Sequence, residues 1–385
     1  MNWQHRWMRL VSYVLVAALA SVLTYFMCSD QPGKIQQLQN ILESRFIGEI
    51  NKEQMEDAAA AAMVYSLGDR WSYYIPAADY AEFVEDKTNT YVGIGITIQI
   101  RENAEGYEIL RVEPGGPAQQ AGILPGDILT HVEGQMVDPT DTTGARDLIR
   151  GEAGTEVEIT VLRNGESQVY QVTRSKIAVA VATGKMLEGN IGLVTIANFN
   201  ENCAAETLKA IEELKEQGAQ ALIFDVRNNP GGYLTELTKI LDYLLPEGVI
   251  FRSEDYTGAE DIKYSDGDCL EIPMAVLVNG ESYSAAEFFA AALEEYDWAV
   301  TVGTQTCGKG YFQTTYRLTD GSAVGLSIGK YYTPEGVSLA ETGGLIPEIL
   351  VEVDEKTDAL IYGDMLAAEE DPQVQAAIDY LIESK

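Results

Sequence analysis

The chain has 385 residues, 46% hydrophobic and 22% charged, an ordinary globular composition with length enough for two or three domains. With 60 acidic against 26 basic residues the net charge is -34 at pH 7, which argues against nucleic acid or an anionic membrane as a partner of the folded part. Two histidines and four cysteines without a CxxC pair leave no zinc set, so neither a metal nor another cofactor is expected.

Leu10 to Cys28 holds no charged residue. Its length, about 19 residues, approaches the roughly 20 that a helix needs to cross a bilayer, so 10–28 is expected to be a transmembrane anchor. His5, Arg6 and Arg9 before it and Asp30 after it make 1–9 a cytoplasmic tail, with a single pass through the cell membrane and an extracytoplasmic body. A cleaved signal peptide is the alternative. Its only Ala-x-Ala, Ala18-Leu19-Ala20, falls inside the run rather than after it, which favours an uncleaved anchor. With Cys28 in that run, Cys203, Cys269 and Cys307 remain, and one disulfide among them stays open.

Residues 29–85 are expected to form a helical segment. Ile35, Leu38, Ile41, Leu42 and Phe46 recur at helical spacing, and an alanine-rich run, Ala58 to Met63, follows. Leu67-Gly68-Asp69-Arg70-Trp71-Ser72-Tyr73-Tyr74 reads as an aromatic-rich turn that packs onto a neighbour.

Across 86–174 the pattern changes to short strands and turns: Tyr91 to Ile98, Tyr107 to Val112, the Pro114 to Leu129 turn region and Glu156 to Arg163. This resembles a PDZ domain. The resemblance implies that Val92, Gly93, Ile94, Gly95 and Ile96 receive a peptide, with backbone N–H groups at the glycines taking its terminal carboxylate and the strand pairing along its edge. Alone, a Gly-Ile-Gly is more often a bulge. His131, after the Pro-Gly-Asp turn, reads as structural.

From 175 to 352 the chain reads as an α/β core. Ile191 to Ile196, a helix from about Ala204 to Gln217 and the apolar run Ala221 to Val226 suggest a parallel crossover. Arg227-Asn228-Asn229-Pro230-Gly231-Gly232 follows, and glycine there lets backbone approach a reacting carbonyl closely. A glycine turn after a buried strand is an equal reading. A second apolar run, Pro273 to Val278, leads through Asn279-Gly280-Glu281-Ser282-Tyr283-Ser284 into a helical stretch, Ala285 to Leu293. Ser284 thus stands at a strand-to-helix junction, where first-turn N–H groups can face a developing negative charge. Scarce histidine makes a Ser-His-Asp triad untenable, and Lys309, between Gly308 and Gly310, is the candidate base, with Gln313 placed to hold its amine. Singly, such a serine is more often a helix cap and Gly-Lys-Gly a turn. The tail, 353–385, has helical periodicity from Pro372 to Ile382.

Asn279 to Glu287 taken with Gly303-Thr304-Gln305-Thr306-Cys307-Gly308-Lys309-Gly310 resembles the carboxyl-terminal processing peptidases, S41 serine peptidases with a PDZ domain. Tyr283 and Cys307 depart from the usual pattern, where a small and an aromatic residue are common. The resemblance implies Ser284 as nucleophile, Lys309 as general base and Gln313 as the residue that orients it, with an oxyanion hole from Gly231, Gly232 and Ala285. It also implies a multidomain α/β protein in which the PDZ domain precedes a crotonase-like, ClpP-like core. The expected function is a membrane-anchored serine endopeptidase that cleaves envelope or extracytoplasmic polypeptides, recognising their free carboxyl ends. A catalytically silent, anchored peptide-binding protein is the alternative, and a homo-oligomer stays open. Lysine as base further requires burial, for which Val278 and Phe312 are the expected apolar neighbours.

Overall fold

The computed structural model describes residues 3–28, 33–100, 106–138, 141–363 and 365–383, without the side chains of 3–6, 9, 10, 22–28 and 142. The chain divides into two compact units, Met1–Met63 and Val64–Lys385.

The first unit is helical: α1 (Trp3–Cys28), α2 (Lys34–Arg45) and all but the last two residues of α3 (Lys52–Tyr65). Among the described residues no helix is long and apolar enough to cross a membrane. The expected anchor, 10–28, falls within α1. Of its stretch, the side chains of 11–21 are described without a break. They make about 16 Å of helix, roughly half of a bilayer core. The helical spacing of 34–67 resolves into two helices because Phe46 turns extended, at φ -69° and ψ 136°. Gln39 donates to Glu56 at 3.1 Å, and Lys52 pairs with Glu43 at 3.1 Å across the break.

The second unit opens with β1 (Tyr73–Ile75), α4 (Tyr80–Lys87) and β2 (Thr90–Gly93). The 86–174 segment then forms a sheet of its own. Its elements are β3 (Ile96–Ile100), β4 (Tyr107–Val112), α5 (Pro117–Ala121), β5 (Ile128–Val132), β6 (Gln135–Met136), α6 (Thr142–Ile149), β7 (Glu156–Arg163) and β8 (Glu166–Thr173). The sheet runs β3-β4-β5-β7-β8, so β3 is an outer strand. Alternation explains its core: Val157, Ile159 and Val161 of β7 point inward onto Tyr107, Ile109 and Leu129. The strand leaving this domain, β9 (Ser175–Ala178), pairs antiparallel with the entering β2, and the two form a stem.

The central sheet contains β10 (Ala182–Leu187), β11 (Ile191–Ile196), β12 (Ala221–Asp225), β15 (Met274–Val278), β16 (Ala299–Gly303) and β19 (Ile349–Leu350), in the order β10-β11-β12-β15-β16-β19. All neighbours from β11 onward are parallel. Parallel strands need crossovers, supplied by α7 (Cys203–Glu216) between β11 and β12 and by α9 (Ala285–Glu295) between β15 and β16. Burial on both faces accounts for the unbroken apolar runs Ala221–Phe224 and Met274–Val278. Phe289 of α9 packs edge-on to Phe224 at 5.4 Å, locking that helix over the strand.

After α8 (Leu234–Leu244), a second sheet is built from β13 (Gly248–Asp255), β14 (Glu260–Ser265), β17 (Tyr311–Arg317) and β18 (Ala323–Tyr332). β1 joins it antiparallel to β18, so the aromatic turn before β1 belongs to the same body as the core. α10 (Leu339–Thr342), α11 (Glu355–Tyr362) and α12 (Pro372–Glu383) complete the chain.

β12 and β15 lie side by side in the parallel sheet, so the loops leaving their carboxyl ends meet. These loops are 226–232 and 279–284.

Candidate active site

The two loops are laced together. Asn228 N–H donates to Asn279 Oδ1 at 2.9 Å, and Asn279 Nδ2 donates back to Asn228 Oδ1 at 2.8 Å. The Ser282 hydroxyl donates to the Val226 carbonyl at 2.7 Å, and Tyr283 N–H to that of Asn229 at 3.1 Å. Behind them Arg227 is clamped by Asp225 at 2.5 Å and Asp371 at 2.8 Å. Burial opposes its charge, but those carboxylates hold the guanidinium above its ordinary value.

Ser284 comes off β15 with φ 58° and ψ -124°, a conformation that costs a non-glycine residue about 1–3 kcal/mol. The strain is fixed by Glu287. This carboxylate is fully buried and accepts from Ser284 N–H at 2.9 Å and, on the same oxygen, from Lys309 N–H at 2.8 Å. Its other oxygen accepts from Gly308 N–H and the Thr306 hydroxyl, both at 2.6 Å. One side chain thus fastens the loop of Ser284 to the loop of Lys309. Glu287 is not foreseen as a site residue, although Ser284-Ala285-Ala286-Glu287 has the spacing of a capping box.

The Lys309 side chain leaves that anchor and ends in an aromatic slot. Its Nζ lies 4.7 Å from the Trp71 ring centroid and 5.6 Å from that of Tyr283. Burial pushes its pKa down to about 8, and the positive charge of Lys87 at the end of α4 pushes the same way, against Cys307, Glu287 and Asp69. Trp71 and Tyr283 take the place expected for Val278 and Phe312; Phe312 stacks on Tyr331 at 5.0 Å instead. Both departures from the family pattern have a position in this slot. Tyr283 is one wall, and Cys307 Sγ receives Arg70 Nη2 at 3.1 Å while the Arg70 guanidinium sits 4.1 Å over Trp71.

Gly231 has φ 81°, and a Cβ there would come within 2.8 Å of Ser284 Cβ and 2.9 Å of Ala285 N. Only glycine fits against the serine. Its own N–H donates to Asn229 Oδ1 at 2.8 Å. Among the described residues the N–H groups of Gly232 and Ala285 have no partner in the chain, which leaves these two free to donate.

Comparison with known proteins agrees in kind. The sequence model of peptidase family S41 matches residues 190–351, and that of the PDZ domain matches 108–163. A probable CtpA-like serine protease of Staphylococcus aureus (strain N315) is 30% identical over 360 residues, covering 89% of this chain and 71% of that one. This chain belongs to peptidase family S41. Another probable CtpA-like serine protease, from Staphylococcus haemolyticus (strain JCSC1435), is 31% identical over 316 residues, covering 80% of this chain and 63% of that one. A solved structure assigned to the S41 proteases, from Bacteroides fragilis NCTC 9343, shares the fold with a TM-score of 0.56 at 17% identity, covering 88% and 93% of the two chains.

In this S41 peptidase Gln313 lies on β17, at a bulge between Phe312 and Gln313. Its amide donates to the Tyr311 carbonyl at 3.1 Å and to Ser327 Oγ at 3.0 Å. Among the described residues no hydrogen bond joins Lys309 Nζ to Ser284 or to Gln313. His131 stands apart on β5 of the PDZ domain, beside Thr130. Of the expected peptide-binding stretch, Val92 and Gly93 pair with Lys176 and Ser175 in the stem, and the Ile94 side chain is buried. Gly95 turns the chain at φ 77°, and Ile96 opens the outer strand β3.

Proposed function

We propose that this S41 peptidase is an extracytoplasmic serine endopeptidase whose nucleophile is Ser284 and whose base is Lys309. The observation that carries the reading is Lys309. Its amine has a pKa lowered to about 8, and its backbone N–H shares one oxygen of Glu287 with the N–H of Ser284. A lysine with an ordinary pKa near 10.4 could not take a proton at neutral pH.

The chemistry follows. Ser284 Oγ attacks the scissile carbonyl carbon as the neutral Lys309 amine takes the hydroxyl proton, and the N–H groups of Gly232 and Ala285 stabilise the oxyanion. The intermediate collapses, the carbon–nitrogen bond breaks, and the Lys309 ammonium returns the proton to the leaving amine. Water then attacks the acyl-enzyme, giving its proton to Lys309; the ester bond breaks, and the ammonium returns that proton to Ser284 Oγ, restoring both groups. Catalytic contacts that are long in a free enzyme tighten around substrate, and in that state Gln313 is the residue we assign to steady the amine. The open edge of β3 supports recognition of polypeptide carboxyl ends by strand addition.

The test is digestion of an unfolded polypeptide by residues 30–385 and by the same protein carrying Ser284→Ala. The variant should lose at least about a thousandfold in rate. Equal digestion would sink the reading. Loss of activity without loss of peptide binding would separate it from a silent peptide-binding protein, whose main support is the missing bond between Lys309 and Ser284.

Anchoring through 10–28 is part of the proposal and rests on the uncharged run behind Arg6 and Arg9. The full chain should stay with the membrane pellet after alkaline washing, whereas residues 30–385 should not. Release of the full chain by that wash contradicts the anchor.

A further inference from the structure

Beside the reactive amine lies a cavity of about 1020 Å³ that takes no part in the chemistry above. This is at the upper end of the roughly 300–1,000 Å³ typical of ligand pockets and too large for one side chain. Trp71 connects the two places, because it lines the cavity and its indole lies 4.7 Å from Lys309 Nζ. The other lining residues come from the turn before β1, the end of β13 and the strands β17 and β18; none comes from the PDZ domain.

The charged groups around the cavity are already engaged. Asp69 accepts from Ser72 Oγ at 2.6 Å, Asp255 from the Thr257 hydroxyl at 2.6 Å, and Glu254 from the Tyr332 hydroxyl at 3.4 Å. Lys330 pairs with Glu341 at 3.6 Å, and Arg70 is held by Cys307 and Trp71. What faces outward without a partner is apolar surface. Leu67 is 60% exposed, Tyr256 78% and Tyr316 45%. Large apolar surface gathered in one concavity is a mark of a binding site rather than of a solvated face.

We propose that this cavity is a substrate exosite that holds aliphatic and aromatic side chains of the polypeptide being cut, in an extended stretch that runs past Trp71 into the Ser284 centre. The occupant is an unfolded polypeptide because that is what an endopeptidase centre must thread, and Trp71 is a wall of both the cavity and the lysine slot. Tyr256, Tyr316 and Trp71 supply ring faces for such side chains, and the engaged charges leave little to bind a polar one. The inference rests on the peptidase reading of Ser284.

Tyr256→Ser/Tyr316→Ser is the test variant, since both side chains are exposed enough for the fold to tolerate their loss. Three peptides with the same carboxyl-terminal residues, so that any PDZ contribution is shared, are compared: a short one, a long one flanked by leucine and tyrosine, and a long one flanked by serine. The variant should raise KM for the apolar-flanked peptide about tenfold at unchanged kcat, and leave the other two alone. Unchanged KM for the apolar-flanked peptide, or an equal rise for the serine-flanked one, overturns the exosite. Fluorescence anisotropy of the same peptides on Ser284→Ala protein, with and without the tyrosine substitutions, reads the exosite without cleavage. Failure of the peptidase reading would appear as cleavage by Ser284→Ala, and failure of the exosite as equal anisotropy.

Discussion

The Ser284 junction and the 92–96 stretch of the PDZ domain each combine a strand with a turn, but their backbone is bound in opposite ways. At the junction three donors are consumed internally, since Ser284, Gly308 and Lys309 all give their N–H groups to Glu287. In the PDZ domain only the entry is consumed, by the stem between β2 and β9, and from Ile96 onward one side of β3 has no neighbouring strand among the described residues. Chemistry needs groups fixed before the substrate arrives, whereas strand addition needs a ladder left unfinished.

The comparison breaks most severely at Glu287. Glu287→Ala leaves one buried and two half-buried N–H groups and the buried Thr306 hydroxyl without their acceptor, and should cost on the order of 4 kcal/mol of stability along with all activity. Urea denaturation checks it; a loss under about 1 kcal/mol would mean that this carboxylate does not hold the two loops together.

On the PDZ side the effects are smaller and unequal. A side chain at Gly95 meets both a φ of 77° and Glu113 Cβ at 3.0 Å, whereas one at Gly93 meets only the movable ring of Tyr91 at 2.9 Å. Gly95→Val should therefore weaken binding of a free-acid peptide about tenfold, and Gly93→Val by less than about threefold. Titration with free-acid and amidated peptides decides the matter. Wild-type protein that binds both forms alike, or a larger loss for Gly93→Val, would remove 92–96 from carboxylate recognition.

Legibility from the sequence follows the same division. The central strands were visible because burial on both faces writes unbroken apolar runs: Pro273 to Val278 became Met274–Val278, and Ala221 to Val226 became Ala221–Asp225. The helices at 203–216 and 285–295 lie within two residues of their expected bounds. Glu287 was hidden because its partners, Thr306 to Lys309, lie some twenty residues away in sequence, so its local spacing shows only a cap. The aromatic slot was hidden for the same reason, since Trp71 reaches Lys309 only through the pairing of β1 with β18. Tyr283 is a local neighbour, but nothing in its sequence context says that it faces the amine.

The central claim is that Lys309 is the base, and the pH dependence of acylation by Ser284 tests it most directly. Below pH 8 the amine is mostly protonated and cannot accept; as pH rises through about 8 it becomes neutral. The rate should climb tenfold per unit at low pH and level off above a single ionisation near 8. The groups that act on that ionisation are Lys87, which lowers it, and Cys307, Glu287 and Asp69, which raise it. Lys87→Met removes a repelling cation, so the same curve should move to higher pH, while His131→Ala should leave it in place. A rise centred near 6.5, in the ordinary histidine range, that vanishes with His131→Ala would contradict the account, as would an unshifted curve in Lys87→Met.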